Sequence, residues 1–292
     1  MEATLTPLSG GHCLHLERMV IKGGRYKNVK FPALFFAIHH PSQGVLLFDT
    51  GYSQEFMRST SQYPEKMYSL LTPVHLLEKQ SAKNQLQDLN IHPNDVSYIF
   101  ISHLHADHIS ALKDFPKAKF ILSKASQKLL GNRNRWNTLI NGYLPSVLPD
   151  DFFSRIIFFD EQGSATTSTI LSPYGFSSWD LFKDKSIYAI PLPGHACGHS
   201  GLLVNTTTGP FFLIADACWM SRSYREFLMP AWPSFLIMDS KKTYKKTLGS
   251  IHRCFLQEKD LTIMPSHCGE VFRACISKQD ESLRQMNGLP FQ

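Results

Sequence analysis

The chain has 292 residues, of which 43% are hydrophobic and 18% charged, with a formal net charge of +6. This composition can supply a large apolar core and excludes a disordered chain. The positive charge is dispersed, and its densest cluster, Lys241-Lys242 with Lys245-Lys246, is spaced like the solvated face of a helix, so we expect no nucleic-acid partner.

The amino-terminal residues show neither a basic region nor an apolar run of signal-peptide length. The charge-free stretch 31–48 contains Pro32 and Pro41, which favours two strands around a turn over a membrane span. Six cysteines in a chain of this length, without a secretory signal, argue against a disulfide framework. We therefore expect a cytoplasmic protein with no membrane span.

Short apolar runs alternate with helical patterns along the chain. Strands are predicted at 33–38, 45–48, 98–101, 119–122, 155–159 and 186–190, in a hairpin of 201–204 with 211–214, and at 261–264. Helices are predicted at 81–89 and 124–130, and around Tyr244, Leu248, Ile251 and Phe255. The strands come in two groups with helices between them, which predicts an α/β fold of two sheets covered by helices. Periodicity alone does not separate this sandwich from a doubly wound sheet.

Neither an internal repeat nor a low-complexity linker divides the sequence, so residues 1–292 are predicted to form a single domain. Two long, irregular segments with several aromatic residues, 52–80 and 132–150, interrupt the alternation. Long insertions on a compact scaffold are often lids or binding loops, and we expect that role for both segments.

The sequence ISHLHADH, residues 101–108, places three histidines and one aspartate within six positions. His103 and His105 lie two apart, so on an extended chain they point the same way, whereas the side chains of Asp107 and His108 diverge. One loop can therefore serve two ions. Imidazole and carboxylate suit zinc, with iron, manganese or cobalt as alternatives. The competing interpretation is a histidine-rich surface loop.

Three more candidate ligands follow predicted strands: His195, Asp216 and His267. Each of them alone would more often be an ordinary loop or capping residue. All three lie just beyond apolar strands, as ISHLHADH does, which indicates that the strand ends converge on one place.

ISHLHADH, PGHACGH at 193–199, IADA around Asp216 and PSH ending at His267 resemble the metallo-β-lactamase superfamily in order and spacing over most of the chain. FPALFFAI, VLLFDTG and SHLHADH are further similar to the N-acyl-homoserine lactone lactonases. The resemblance implies an αβ/βα four-layer sandwich of two mixed sheets flanked by helices, with two metal ions at the sheet edges. It assigns His103, His105 and His195 to the first ion, Asp107, His108 and His267 to the second, and Asp216 as a bridge between them.

Neighbouring residues are expected to support these ligands. Asp49 has no metal assignment in the family and is expected to accept a hydrogen bond from a ligand imidazole. His199 is expected to make a structural hydrogen bond. Small hydrophobic packing is the predicted role of Cys197, Cys218 and Cys268.

The resemblance implies hydrolysis of a lactone or ester by a metal-bridging hydroxide, with Asp107 carrying a proton to the leaving group. The lactonases carry a tyrosine three positions after the bridging aspartate, where this chain has Trp219. An indole N–H donates one hydrogen bond but cannot act as a phenol acid, so Tyr224 is a second candidate. Asp107, Trp219 and Tyr224 are therefore the candidate catalytic residues.

The expected substrate is a small acyl lactone or ester with an apolar acyl part. Candidates to line an acyl pocket are Trp136, Tyr143, Phe182, Trp219 and Trp232. One alternative is a thioesterase acting on a CoA or acyl-carrier-protein thioester, for which the basic charge would suit an acidic carrier. Another is a non-catalytic ligand-binding protein of the same fold, against which the presence of all seven ligands weighs. Redox and nuclease functions fit less well, because neither a flavin domain nor an RNA-binding arm is evident.

Overall fold

The computed structural model describes residues 2–132, 134–166 and 169–276. The strands of these residues are β1 (Thr4–Leu16), β2 (Asn28–His40), β3 (Gly44–Phe48), β4 (Val74–His75), β5 (Val96–Phe100), β6 (Lys119–Leu122), β7 (Ile156–Phe158), β8 (Trp179–Asp180), β9 (Ile187–Pro191), β10 (Ser200–Thr206), β11 (Gly209–Ala215) and β12 (Thr262–Pro265). The α-helices are α1 (Glu17–Val20), α2 (Gln54–Ser59), α3 (Lys66–Leu71), α4 (Ala82–Asp88), α5 (Ala106–Ile109), α6 (Gln127–Leu130), α7 (Arg135–Ile140), α8 (Ser221–Arg225) and α9 (Lys241–Gln257). Residues 269–276 are also helical.

The strands form two mixed sheets. The first has the order β4-β1-β2-β3-β5-β6-β7 and the second β12-β11-β10-β9-β8. In the first sheet β1, β2 and β3 pair antiparallel, and β3, β5, β6 and β7 pair parallel. In the second sheet only the β11–β12 pair is parallel among the pairings of the described strands.

Alternate side chains of the inner strands face different cores, because successive side chains of a strand point to opposite faces. Leu46 belongs to the core between the two sheets, together with Leu202 and Leu213 of the second sheet. Its neighbour Leu47 packs instead with Leu86 of α4 on the outer face. A third core joins the second sheet to α9 through residues such as Leu203, Phe212, Leu248 and Ile251. These layers confirm the predicted αβ/βα sandwich.

The carboxyl ends of five strands meet at one edge of the sandwich. β3 and β5 are parallel neighbours, as are β11 and β12. β9 and β11 both pair antiparallel with β10, so they run in the same direction. Side chains that follow these strands are therefore brought together although they are far apart in sequence.

β1 is a 13-residue strand that the sequence patterns did not predict. Its pairing with β2 shifts in register between Ser9 and His12. At this irregularity the chain passes close to the loop after β3: a Cβ on Gly10 would lie 2.7 Å from the Cα of Gly51. The amide of Tyr52 donates to the carbonyl of Gly10 at 3.0 Å. The amino-terminal strand is thus held against the loop that carries Asp49.

The strands and helices that the sequence predicted are confirmed, with ends that differ by a few residues. Ser81 is the N-cap of α4 by position, but its side chain makes no capping hydrogen bond. α6 ends at Gly131, as predicted, although that glycine has an ordinary negative φ. None of the helices described is long and apolar enough to cross a membrane.

Candidate metal centre

ISHLHADH changes conformation halfway along its length. Residues 101–105 leave β5 without helical structure, and α5 begins at Ala106. His103 and His105 consequently lie on the irregular part, with ring centroids 4.4 Å apart, while Asp107 and His108 lie on the helix. The amide of Ala106 donates to the carbonyl of Gly142 at 3.0 Å, which attaches the loop to the segment after α7.

One group of potential ligands consists of His103, His105, His195 and Asp216, whose donor atoms all lie within 4.8 Å of one another. His105 Nδ1 is 3.1 Å from His195 Nε2, and that nitrogen is 3.3 Å from Asp216 Oδ2. Neighbouring donors around a tetrahedral zinc, each at about 2.0–2.1 Å from the ion, lie roughly 3.4 Å apart. The spacing of this group is therefore that of a metal site.

A second group consists of Asp107, His108 and His267, also within 4.8 Å of one another. His267 Nε2 lies 3.1 Å from Asp107 Oδ2. Asp216 stands between the two groups, because its Oδ1 is 3.1 Å from His267 Nε2 while its Oδ2 faces His195. The structure thus brings together all seven residues that the sequence suggested as ligands.

The charges of these groups suit cations. Burial lowers the pKa of His103 and His195 well below 6.5, so both are neutral imidazoles, the form that binds metals. Burial would raise the pKa of Asp216, but the charges of His267 and His108 hold it well below its usual value. Asp216 is therefore a carboxylate.

Burial would also lower the pKa of His108, but Asp107, Asp49 and Asp216 outweigh that effect and raise it to about 10. The three carboxylates around His108 thus create a negative field that favours a cation at this place. Nε2 of His103 is buried and makes no hydrogen bond with the residues that the structure describes, whereas Nε2 of His108 lies 3.4 Å from Asp216 Oδ1 and 3.5 Å from Asp107 Oδ2. A buried nitrogen without a partner is costly, so the donor set fits divalent cations in chemistry and in spacing.

Asp49 fixes the orientation of two of the imidazoles. Its Oδ2 accepts from His108 Nδ1 at 2.6 Å and from the Ser102 hydroxyl at 2.8 Å. Because Ser102 has donated its only proton, its oxygen accepts from His103 Nδ1, 2.9 Å away. Both rings therefore carry a proton on Nδ1 and direct Nε2 at the site, as the expected role of Asp49 requires.

Backbone carbonyls orient further rings. His267 Nδ1 donates to the carbonyl of Pro32 at 2.8 Å, which leaves Nε2 for the site. His199 Nδ1 donates to the carbonyl of Leu192 at 2.9 Å, and its Nε2 accepts from the amide of Asp216 at 3.0 Å. Both nitrogens of His199 are thus used in structural hydrogen bonds.

Two strands end in strained backbone at the site. Asp49 has a φ of 60° and Ala215, directly before Asp216, a φ of 43°. Non-glycine residues in this region cost about 1–3 kcal/mol and persist where the surroundings hold them. The strained residues are Asp49 itself and the residue before Asp216, and the ligand geometry depends on these two aspartates.

A cavity of about 620 Å³ opens beside the ligands. Its polar floor includes His105, Asp107, His195, Asp216 and His267. Its walls are mainly apolar and come from separate segments; they include Met19, Val20, Phe31, Met67, Tyr68, Leu71, Trp136, Leu139, Ile140, Trp219 and Ile237. Residues of both long insertions, 52–80 and 132–150, thus form part of the wall.

The three candidate catalytic residues lie in different places. Asp107 and Trp219 line the cavity, and Trp219 Nε1 donates to Asp216 Oδ2 at 2.9 Å. The hydroxyl of Tyr224 donates to the carbonyl of Ile263 at 3.3 Å, and Tyr224 is not among the described residues that line the cavity.

Of the five aromatic residues expected to line an acyl pocket, Trp136 and Trp219 do so. Phe182 packs instead against His40 and Tyr98, Tyr143 is buried in the core of the first sheet, and Trp232 is exposed. The expectation was wrong for these three: Phe182 and Tyr143 pack in cores, which an aromatic side chain serves as readily as a pocket, and Trp232 lies in solvent.

Sequence reasoning missed cavity residues from β1 and the first insertion. Cys13 and His15 lie on β1, and Tyr52 and Tyr68 on the insertion. β1 had no recognised strand signal, and membership of an irregular segment does not reveal which side chains point inward. The three cysteines near the ligands are not among the proposed donors; Cys218 and Cys268 are buried, and the Cys197 thiol faces the carbonyl of Ala125.

Comparison with known proteins agrees with this geometry. The family model of the metallo-beta-lactamase superfamily matches residues 32–163. N-acyl homoserine lactonase AttM of Rhizobium radiobacter is 26% identical over 245 residues, which cover 84% of each protein. Among solved structures, an N-acyl homoserine lactone hydrolase with N-hexanoyl-L-homoserine bound at its catalytic metal centre matches with a TM-score of 0.69 and 18% identity, over 94% of this chain and 97% of that one.

A further solved structure is that of AidC, a dizinc quorum-quenching lactonase, with a TM-score of 0.59 and 13% identity over 92% of this chain and 88% of that one. At such identities the structural matches establish the fold alone. Together with the matched family model, they confirm the resemblance seen in the sequence. Residues 32–163 therefore match the metallo-β-lactamase superfamily, and the relatives of the chain support its assignment as a metal-dependent hydrolase.

Proposed function

We propose that this chain hydrolyses small lactones or esters that carry an apolar acyl group, using two divalent metal ions, with zinc as the first choice. The observation that carries the proposal is the meeting of seven donor residues, six of them buried and His105 partly buried, with a largely apolar cavity of about 620 Å³. The relative named N-acyl homoserine lactonase supports an acyl lactone as the substrate class.

Each ion would be held by three residues of its own and would share Asp216. The first ion takes His103, His105 and His195, and the second takes Asp107, His108 and His267. When bound, a pair of divalent ions acidifies water and polarises a carbonyl, so that hydrolysis proceeds near neutral pH.

The protein's own groups would position the reactants and move one proton. Asp107 lines the cavity, so its carboxylate would take a proton from the attacking water and pass it to the departing oxygen. Trp219 donates to Asp216 Oδ2 and therefore acts on the shared carboxylate. Tyr224 has no part in the reaction because its hydroxyl is directed at Ile263.

The apolar wall would take the acyl group. Tyr68 and Leu71 come from the first insertion, and Trp136 and Leu139 from the second. A pocket that combines such a wall with a few convergent polar groups is typical of a site for an amphiphilic small molecule. The two insertions would thereby determine which acyl groups are accepted.

The test uses zinc-loaded protein, acyl-homoserine lactones and acyl thioesters of matched chain length. Elemental analysis should find about two ions per chain, since two ions are needed for the two-metal mechanism. We expect ring opening of the lactones and no thioester cleavage. Thioester cleavage without ring opening would replace the proposal by the thioesterase alternative. Binding of substrate by the metal-loaded protein with no turnover would replace it by a binding function.

A further inference from the structure

Large apolar side chains surround the mouth of the cavity and project into solvent. They lie on α3, on α7 and on residues 232–237, and we call them the apolar rim. Their exposed fractions range from 41% to 75%, and they are Met67, Leu70, Leu71, Trp136, Ile140, Trp232, Leu236 and Ile237.

The apolar rim is continuous with the cavity wall. Met67 and Leu71 on α3, Trp136 and Ile140 on α7, and Ile237 each contribute to the wall as well as to the exposed surface. The remaining members lie on the same short segments. Exposed apolar groups scattered singly need no explanation, but a concentration around one opening indicates an interaction surface.

Exposed lysines lie on or beside these segments. Lys22 follows α1, whose residues Met19 and Val20 line the cavity, and Lys66 begins α3. Lys241 and Lys242 begin α9, four residues after Ile237. Lys241 Nζ lies 5.2 Å from the ring centre of Phe235, which places it beside the rim.

The nearby carboxylates neutralise little of this charge. Glu17 and Glu65 are paired with Arg25 and Arg135, respectively. None of the four lysines forms an ion pair with a residue that the structure describes. Asp239 is the remaining acidic residue of the rim segments 65–71, 134–140 and 232–242, which the structure describes in full.

We propose that the apolar rim docks on the surface of an anionic lipid bilayer, with the mouth of the cavity turned towards the lipid. Tryptophan and aliphatic side chains flanked by lysines are the composition of interfacial anchors. A second copy of the chain fits less well, because two rims facing each other would bring the same uncompensated lysines together. This proposal concerns how the protein sits on a bilayer and does not depend on turnover, so it goes beyond the proposed hydrolysis.

Docking would let an amphiphilic substrate enter from the bilayer without crossing water. The acyl group would pass over the rim into a wall of the same character, while the polar end reaches the floor with Asp107 and Asp216.

The experiment is vesicle co-sedimentation of the full chain without substrate. Vesicles of phosphatidylcholine are compared with vesicles that also contain phosphatidylglycerol, at low and at high salt. We expect binding to the anionic vesicles that weakens as salt is added, because Debye screening reduces the attraction. The double variant Trp232→Ser/Leu236→Ser should lower the bound fraction about tenfold by removing exposed anchors.

Trp232 and Leu236 are suited to this test because they are 69% and 70% exposed and do not line the cavity among the described residues. Their replacement should leave hydrolysis of a water-soluble short-chain lactone unchanged. Phe153→Ser is the matched control: Phe153 is 65% exposed but precedes β7, at the edge opposite the ligands. A Lys241→Glu/Lys242→Glu variant tests the charge separately and should also bind less.

The proposal is overturned if the protein does not co-sediment with anionic vesicles, or if Phe153→Ser reduces binding as much as the rim variant does. It is also overturned if sedimentation shows a dimer that the rim variant dissociates, since the rim would then be covered by a second copy. None of these outcomes bears on turnover, which is measured with soluble substrates.

Discussion

The sheet edge that carries the seven potential metal ligands and the cavity wall lie side by side, but different interactions hold them. At the edge, buried hydrogen bonds of 2.6–2.9 Å link Asp49, Ser102, His103 and His108. In the wall, α3 and α7 are six-residue helices whose large side chains are partly in solvent. A substitution at the edge disturbs a connected network, whereas one in the wall alters a single contact. The proposed chemistry would thus depend on the edge, while changes in the wall would alter the choice of substrate at little cost in stability.

The largest effect should follow from Asp216→Ala. This change removes the carboxylate whose two oxygens face both ligand groups, so at least one ion should be lost and kcat/KM should fall by at least about 100-fold. Elemental analysis and lactone hydrolysis measure the two effects. Asp239→Ala, an exposed carboxylate nearby, is the control. Two retained ions with full activity would contradict the assignment of Asp216 as a ligand shared by both ions.

Asp49→Asn tests the hydrogen bonds that orient the ligand imidazoles. Loss of the charged acceptor for His108 and Ser102 should weaken metal binding by about 10- to 100-fold. Competition with a chelator measures the affinity. Asp184→Asn serves as the control because it alters a similar aspartate–histidine pair, with His40, away from the ligands. If both variants weakened binding equally, the effect would be one of general stability.

Gly142→Ala probes the contact between wall and edge. Gly142 has a φ of 65°, and a Cβ there would lie 2.8 Å from Cδ2 of His105. The variant should lose about 1–3 kcal/mol of unfolding free energy and also bind the first ion more weakly. Gly175→Ala has comparable backbone strain, at a φ of 85°, but no atom within 4 Å of the added carbon. It should lose stability and keep its metal. Equal metal loss in both variants would disprove the contact's role.

Trp219→Phe should have a moderate effect. It keeps an aromatic ring in the wall and removes the indole donor to Asp216, a charge-assisted bond of about 1.5–3 kcal/mol. We expect kcat/KM to fall roughly 10-fold. Tyr224→Phe removes the hydroxyl that donates to the carbonyl of Ile263 and should leave kcat/KM unchanged. The reverse order of effects would restore Tyr224 as the catalytic candidate.

The smallest effect should come from the wall. Trp136→Ala should raise KM a few-fold for long acyl chains and less for short ones, because each buried CH₂ is worth about 0.8 kcal/mol. Metal content should not change. Phe153→Ala is the control, since this exposed aromatic residue lies away from the cavity. A change in KM independent of acyl length would argue that Trp136 does not contact the acyl group.

The residues of the candidate metal centre could be predicted from the sequence because the patterns that mark them are local. Each ligand follows a short apolar strand directly or within a few residues, and strand ends in parallel register must meet. His103 and His105 could therefore be grouped with His195 and His267 before any coordinates were known. That the seven residues bind ions stays a prediction until metal content is measured, as does the extent of a single domain over residues 1–292.

The wall could not be predicted to the same extent, since its residues come from segments far apart in sequence. His15 reaches the cavity only because β1 pairs with β2 in a register that includes a shift near Gly10 and Gly11. Phe182 and Trp232 have the composition of pocket residues, but one joins a core and the other remains in solvent. Side-chain type alone does not distinguish these environments.

The close approach of Gly10 and Gly51 restricts how this molecule can diversify. Each glycine occupies the space that a methyl group on the other would need, so enlarging either one separates the amino-terminal strand from the turn after Asp49. A larger residue at one position cannot be accommodated by changing the other, because glycine already has the smallest side chain. Substitutions at this crossing are therefore costly, whereas the short helices at the mouth can accept new side chains without moving the strands that carry the potential ligands.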